Sequence, residues 1–131
     1  MIYLADIRDW LKEYGLFEHY YVGKLDSKQE KSLGVYQRKT VQPPKRAIGN
    51  LSSYEVKPIS LLIHWNKNAT ETEKTAFELY KQLEAVSQFM LNNTKIYMLS
   101  LLQSEPVDVG TDESGIYERV IEFDIYYERR K

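Results

Sequence analysis

Apolar residues recur at helical spacing from the start of the chain. Tyr3, Leu4, Ile7, Trp10, Leu11 and Tyr14 share one side of a 3.6-residue wheel, and Asp6, Asp9, Lys12 and Glu13 take the other. That spacing predicts an amphipathic helix, which Gly15 is placed to stop. The period then changes. His19-Tyr20-Tyr21-Val22 and Leu33-Gly34-Val35-Tyr36-Gln37 read as two short strands, and the polar stretch from Lys24 to Ser32 between them suggests a hairpin with a long turn. A third strand is expected from Tyr54 to Trp65, where Ile59, Leu61, Ile63 and Trp65 alternate onto one face and Pro58 marks a bulge or an edge.

Thr70 followed by Glu73 has the form of a capping box and opens a second helix, expected to run to about Leu91 before Asn92-Asn93 stops it. Its buried stripe is Ala76, Leu79, Tyr80, Leu83, Val86 and Met90. Phe89 falls off that stripe, on the side of Glu71, Glu78 and Gln82, and three readings are open for it. It is an ordinary surface ring, an aromatic anchor for a neighbouring chain, or a residue tucked under the sheet because the helix ends early. Lys95 to Leu102 is apolar on both faces and reads as a central strand. Ile116 to Glu128 is the last strand, with Tyr117, Ile121, Phe123, Ile125 and Tyr127 on one face and Glu118, Glu122, Asp124 and Glu128 on the other.

These elements give an α+β fold: a single five-stranded sheet, mostly antiparallel or mixed, with two helices in the order α-β-β-β-α-β-β. All 131 residues fit one domain, with 39–53 and 104–115 as long loops and 129–131 as a basic tail. No signal peptide or membrane span is expected.

Composition narrows the chemistry. The chain contains no cysteine, which removes disulfides, thiolate metal sites and cysteine nucleophiles. His19 and His64 lie far apart with no third ligand at metal spacing, so neither a metal nor a cofactor is expected. The acidic stretch from Glu105 to Gly115 lacks the ligand order of a calcium loop. No phosphate-binding loop or nucleophile elbow occurs, and no catalytic residue is assigned.

Net charge is −1, yet the charges are segregated. Between Lys24 and Lys57 eight bases stand against three acids; between Gln103 and Asp124 seven acids stand against one base, Arg119. Oppositely charged regions pair either within a fold or between copies. Lys39, Lys45, Arg46, Phe89, Asp108, Asp112, Glu113, Glu118 and Glu122 are therefore the candidate interface residues. The acids of the last strand repel one another, which is easier to understand if a neighbour's cations lie opposite. A competing reading makes the basic 24–57 region, with Tyr20, Tyr21 and Tyr36, a stacking platform for single-stranded nucleic acid, although the element order does not match an RNA-recognition module. A small enzyme with an unrecognised site ranks third.

The ordered set of segments resembles the minor capsid proteins of long-tailed bacteriophages and prophages of Gram-positive hosts. It is carried by Ile2 to Gly15, by His19-Tyr-Tyr-Val-Gly-Lys-Leu, by Ile59-Ser-Leu-Leu-Ile-His-Trp-Asn-Lys-Asn, and most strongly by Glu105 through Glu128. The resemblance covers nearly the whole chain and is weakest over Lys39 to Ser53. It implies a virion protein of the head–tail connection, and the element order is similar to that of tail terminators. Such proteins form a hexameric ring that caps the tail tube and docks to the head-completion protein. The implied partners are further copies of the chain, the tail tube protein and the head-completion protein, with no membrane and no specific nucleic acid. The implied location is the bacterial host cytoplasm during assembly and then the virion.

Overall fold

A computed structural model describes residues 2–39 and 54–129. Helix α1 covers Leu4–Lys12, with the Asp6 carboxylate accepting from the Tyr3 N–H at 2.9 Å. Gly15, at a φ of +68° that disfavours side chains, turns the chain away. Strands β1 (His19–Val22), β2 (Ser32–Gln37) and β3 (Tyr54–His64) follow, then helix α2 (Ala69–Glu84). The remainder is β4 (Phe89–Leu91), β5 (Thr94–Leu101), β6 (Val107–Thr111) and β7 (Tyr117–Glu128).

The class is α+β as expected, but the sheet has seven strands rather than five. They run β1-β2-β3-β7-β5-β4, and β6 also pairs with β7. Both helices lie against one face. Ile7, Leu11, Leu79 and Leu83 close over Leu33, Leu61, Ile63, Ile121 and Phe123, all essentially free of solvent.

Four sequence expectations change. First, β1 and β2 pair in parallel, His19 opposite Ser32 and Val22 opposite Val35, so they are not a hairpin. The 23–31 segment carries the chain back to its starting level. A four-residue strand spans about 13 Å, whereas nine linking residues reach up to about 30 Å. Gly23 and Lys31, both at positive φ, make the two corners. Asp26, accepting from the Lys28 N–H, and Ser32, whose hydroxyl donates to the Gln29 carbonyl, fix the path between them.

Second, α2 stops at Glu84, not Leu91. Phe89-Met90-Leu91 is a strand, and Asn92-Asn93, at φ +48° and +63°, forms the two-residue turn of a β4–β5 hairpin. Left-handed asparagines at both central positions match strand twist in such a turn. Third, the helix cap is Asn68, whose side chain accepts from the Glu71 N–H at 3.0 Å; Thr70 is already inside the helix and exposed. The Glu71 carboxylate turns back instead to accept from Trp65 Nε1 and Asn66 Nδ2.

Fourth, β5 lies between β7 and β4 as an interior strand, but it is apolar on both faces because of a bulge. Ile96 sits opposite Tyr127 and Met98 opposite Tyr126, so one residue is extra. Beyond it the inward parity switches, and Leu99 and Leu101 take the core side while Met98 is left exposed.

Two predictions follow from α2 and its end. Asn68→Ala should lose about 1 kcal/mol in urea unfolding, with Thr70→Ala within about 0.5 kcal/mol of wild type; equal losses would place the cap at Thr70 after all. Phe89, half-buried, stacks on Trp10 with ring centroids 4.9 Å apart. Phe89→Ser should therefore lower unfolding stability by roughly 3 kcal/mol. Unchanged stability would return it to the surface.

Candidate assembly surface

The helices cover one face of the sheet; on the other, the 23–31 segment reaches over β2 and β3, and no helix lies there among the described residues. Side chains at even positions of β3 and β7 point to this outer face. At its centre Arg38 reaches across from the end of β2. Its guanidinium meets Asp124 Oδ1 at 2.7 Å and donates to the Phe123 carbonyl at 3.3 Å, with both side chains largely buried. Such a pair holds its two strands in register more surely than it adds net stability.

The other acids of β7 are also engaged within the chain. Glu118 Oε2 lies 2.8 Å from Nδ1 of His64, which is wholly buried. Glu122 accepts from Gln103 Nε2 at 3.0 Å, and Glu128 accepts from the Lys95 N–H at 2.8 Å. The acid stripe thus has intrachain partners, and its mutual repulsion gives no reason of its own to place a neighbour's cations opposite.

The acidic 104–115 segment is not a plain loop, since it contains β6. Asp108 Oδ1 accepts from the Gly110 N–H, and its other oxygen lies 3.7 Å from Arg119. Asp112 Oδ1 accepts from the backbone of Ser114 and Ile116, while Oδ2 faces His64 at 3.7 Å. Asp112 therefore shapes the β6–β7 turn. Glu105 and Glu113 remain exposed, as does Lys39 at the end of β2. Lys45 and Arg46 lie outside the described residues, as does most of the 39–53 stretch.

His64 also has a place that sequence spacing could not give. Its Nε2 sits 3.0 Å from the Ser27 carbonyl, so the ring braces β3 against both the 23–31 segment and the start of β7. No group of three or more His, Asp or Glu side chains suited to a metal occurs among the described residues. The three tyrosines weighed for base stacking are partly committed. Tyr20 OH accepts from the Phe17 N–H, and Tyr36 OH from the Leu25 N–H. Tyr21 has His19 beside it, ring centroids 6.4 Å apart.

The features that sequence reasoning missed are the sheet's open edges. Every residue of β6 is exposed, with Val107 at 39% and Val109 at 48%. Among the described residues β6 pairs only with β7, β1 only with β2, and β4 only with β5. The alternation Val107-Asp108-Val109 was visible, but Pro106, Gly110 and the surrounding acids pointed to a loop. Met90, Met98 and Leu102 add exposed apolar surface along β4 and β5. Exposed strand edges and apolar side chains of this kind are what an assembling subunit presents. No helix is long and apolar enough to cross a membrane among the described residues.

A comparison with curated proteins returned no match. A family model described as bacteriophage tail terminator protein matches residues 4–129, from the first residue of α1 to just past the end of β7. That span contains both helices, the whole sheet and its open edges, and the chain belongs to the bacteriophage tail terminator family.

Proposed function

We propose that this tail terminator works as a homo-oligomeric ring, possessing no chemistry of its own, that caps the tail tube and docks to the head-completion protein. The observation that carries the reading is the family match across the whole folded unit. It is supported by a sheet whose two lateral edges both end in unpaired strands among the described residues, and by segregated charge. A head-to-tail interface between unlike patches closes into a ring when the rotation per subunit divides a full turn. Affinity would come from apolar side chains such as Met90 and Met98, and register from charge pairs at the rim.

The test is assembly. The purified protein, alone and with tail tubes, is followed by analytical ultracentrifugation and electron microscopy; rings or capped tube ends are expected. A phage lacking the gene should accumulate filled heads and tails that do not join. A protein that stays at 15.5 kDa even with tubes present, or a deleted phage with normal joining, would overturn the reading.

Charge supplies a sharper prediction. If the basic 39–46 stretch meets the exposed acids of a neighbour, Lys45→Glu with Arg46→Glu should weaken assembly. Glu113→Lys, at a residue with an exposed side chain, should restore part of it. Asp112 is unsuited to the rescue because it holds the β6–β7 turn. Additive losses in this double-mutant cycle would remove the pairing. Salt should weaken assembly only moderately, because charges are screened over about 8 Å at physiological ionic strength.

A further inference from the structure

Among the described residues β1, β4 and β6 each have one unpaired side, and two of these edges, β1 and β6, lie at the same level of the sheet. Tyr21 of β1 is opposite Gly34 of β2, Gly34 opposite Leu62 of β3, Leu62 opposite Val120 of β7, and Val120 opposite Val107 of β6. One row of backbone therefore crosses five strands from one unpaired edge to the other. The directions are also fixed. β7 is antiparallel to both β3 and β6, β2 is antiparallel to β3, and β1 is parallel to β2. It follows that β1 and β6 run in opposite directions within one copy.

We infer that β6 of one copy pairs antiparallel with β1 of the next, so that the sheet continues from subunit to subunit around the assembly. The inference rests on the homo-oligomeric reading above and specifies its joint. Rotation about an axis running along the strands preserves strand direction in every copy. The unlike edges then meet in the antiparallel sense, which forms the more favourable ladder. Had β1 followed β2 as an antiparallel hairpin, the same joint would be parallel. The lengths match as well: β1 has four residues and β6 five.

Side chains agree with this joint. Natural edges are commonly guarded by charges, bulges, proline or covering segments; β6 has Asp108 and a bulge after it, yet exposes Val107 and Val109 beside them. Along the same rows Pro106 falls level with Val22, so the exposed Glu105 of one copy comes towards the exposed Lys24 of the next. The edge-to-edge hydrogen bonds fix register, and this charge pair favours the chosen partner edge.

The absence of cysteine makes the joint directly testable. Tyr21 and Val107 lie on the same row and the same outer face. Within one copy they are four strand spacings, about 19 Å, apart, far beyond the roughly 7 Å that a disulfide spans between Cα atoms. Mild oxidation of assembled Tyr21→Cys/Val107→Cys protein should give a ladder of covalent multimers. An equimolar mixture of the two single variants should give only dimers containing one of each, and either single variant alone should stay uncrosslinked. Dimers of Val107→Cys with itself would mean two-fold β6–β6 pairing and overturn the inference.

Val109→Lys tests the edge independently of thiols. Its side chain is already half exposed, so the unfolding midpoint should not move, while assembly should need about tenfold more protein or beyond. Wild-type assembly combined with no mixed cross-link and an unaffected Val109→Lys protein would overturn the joint and leave the tail-terminator ring standing. Failure of wild type to assemble on tail tubes would overturn both.

Discussion

The ladder between β3 and β7 is the constraint on which the rest of the molecule depends. It pairs residues from Tyr54 opposite Glu128 to His64 opposite Glu118 without a break. Because side chains alternate, one register places Ile59, Leu61 and Ile63 beside Phe123 and Ile121 on the helix side. A slip of one residue would send all of them to the outer face and bring Asp124 and His64 into the core. The hydrophobic cost of that slip is several buried aliphatic side chains, each contributing about 1.5–3 kcal/mol. The helices attach to the surface this register creates.

Polar groups on the opposite face reinforce the same register. Arg38 grips Asp124 near the middle of β7, and His64 meets Glu118 at its start. Removing one partner of the Arg38–Asp124 pair would strand a charge in a largely buried place, which penalises misregister more than the pair rewards the native state. The carboxylates of β7 thus serve the inside of the subunit.

Long, strongly patterned elements were legible in the sequence, and short ones were not. The alternation in β3 and β7 and the helical period of α1 located those elements to within about two residues. β4 was hidden because Phe89-Met90-Leu91 continues an apolar helical run, and only the Asn92-Asn93 pair distinguishes a hairpin turn from a helix stop. β6 was hidden because neither of its faces is buried, so no apolar alternation of a core strand is required of it. Asp108 and Asp112 have bonding partners within four residues, whereas the acids of β7 take partners remote in sequence. Arg38 and Asp124 stand 86 residues apart, and no local pattern announces such a pair. Phe89 was flagged by its odd position, and the ring it stacks on, Trp10, comes from the far end of the chain.

The parallel pairing of β1 with β2 is the departure with the widest consequence. Adjacent strands joined by a polar link normally form an antiparallel hairpin, in which the second strand retraces the first. Here the link is long enough to return to the start, and His64 holds it there through the Ser27 carbonyl. The backbone reinforces this, since the Lys31 N–H donates to the Trp65 carbonyl at 2.7 Å. The strand direction at the β1 edge of the sheet is thus set by a buried imidazole and the loop it holds. The β6 edge takes its direction from the β6–β7 turn that Asp112 shapes, and Asp112 faces the same imidazole. One polar cluster at the end of β3 therefore orients the β1 and β6 edges. Because it is buried and engaged within the chain, those edges are already oriented in a single copy, and in the proposed ring association would not have to supply the free energy of ordering them.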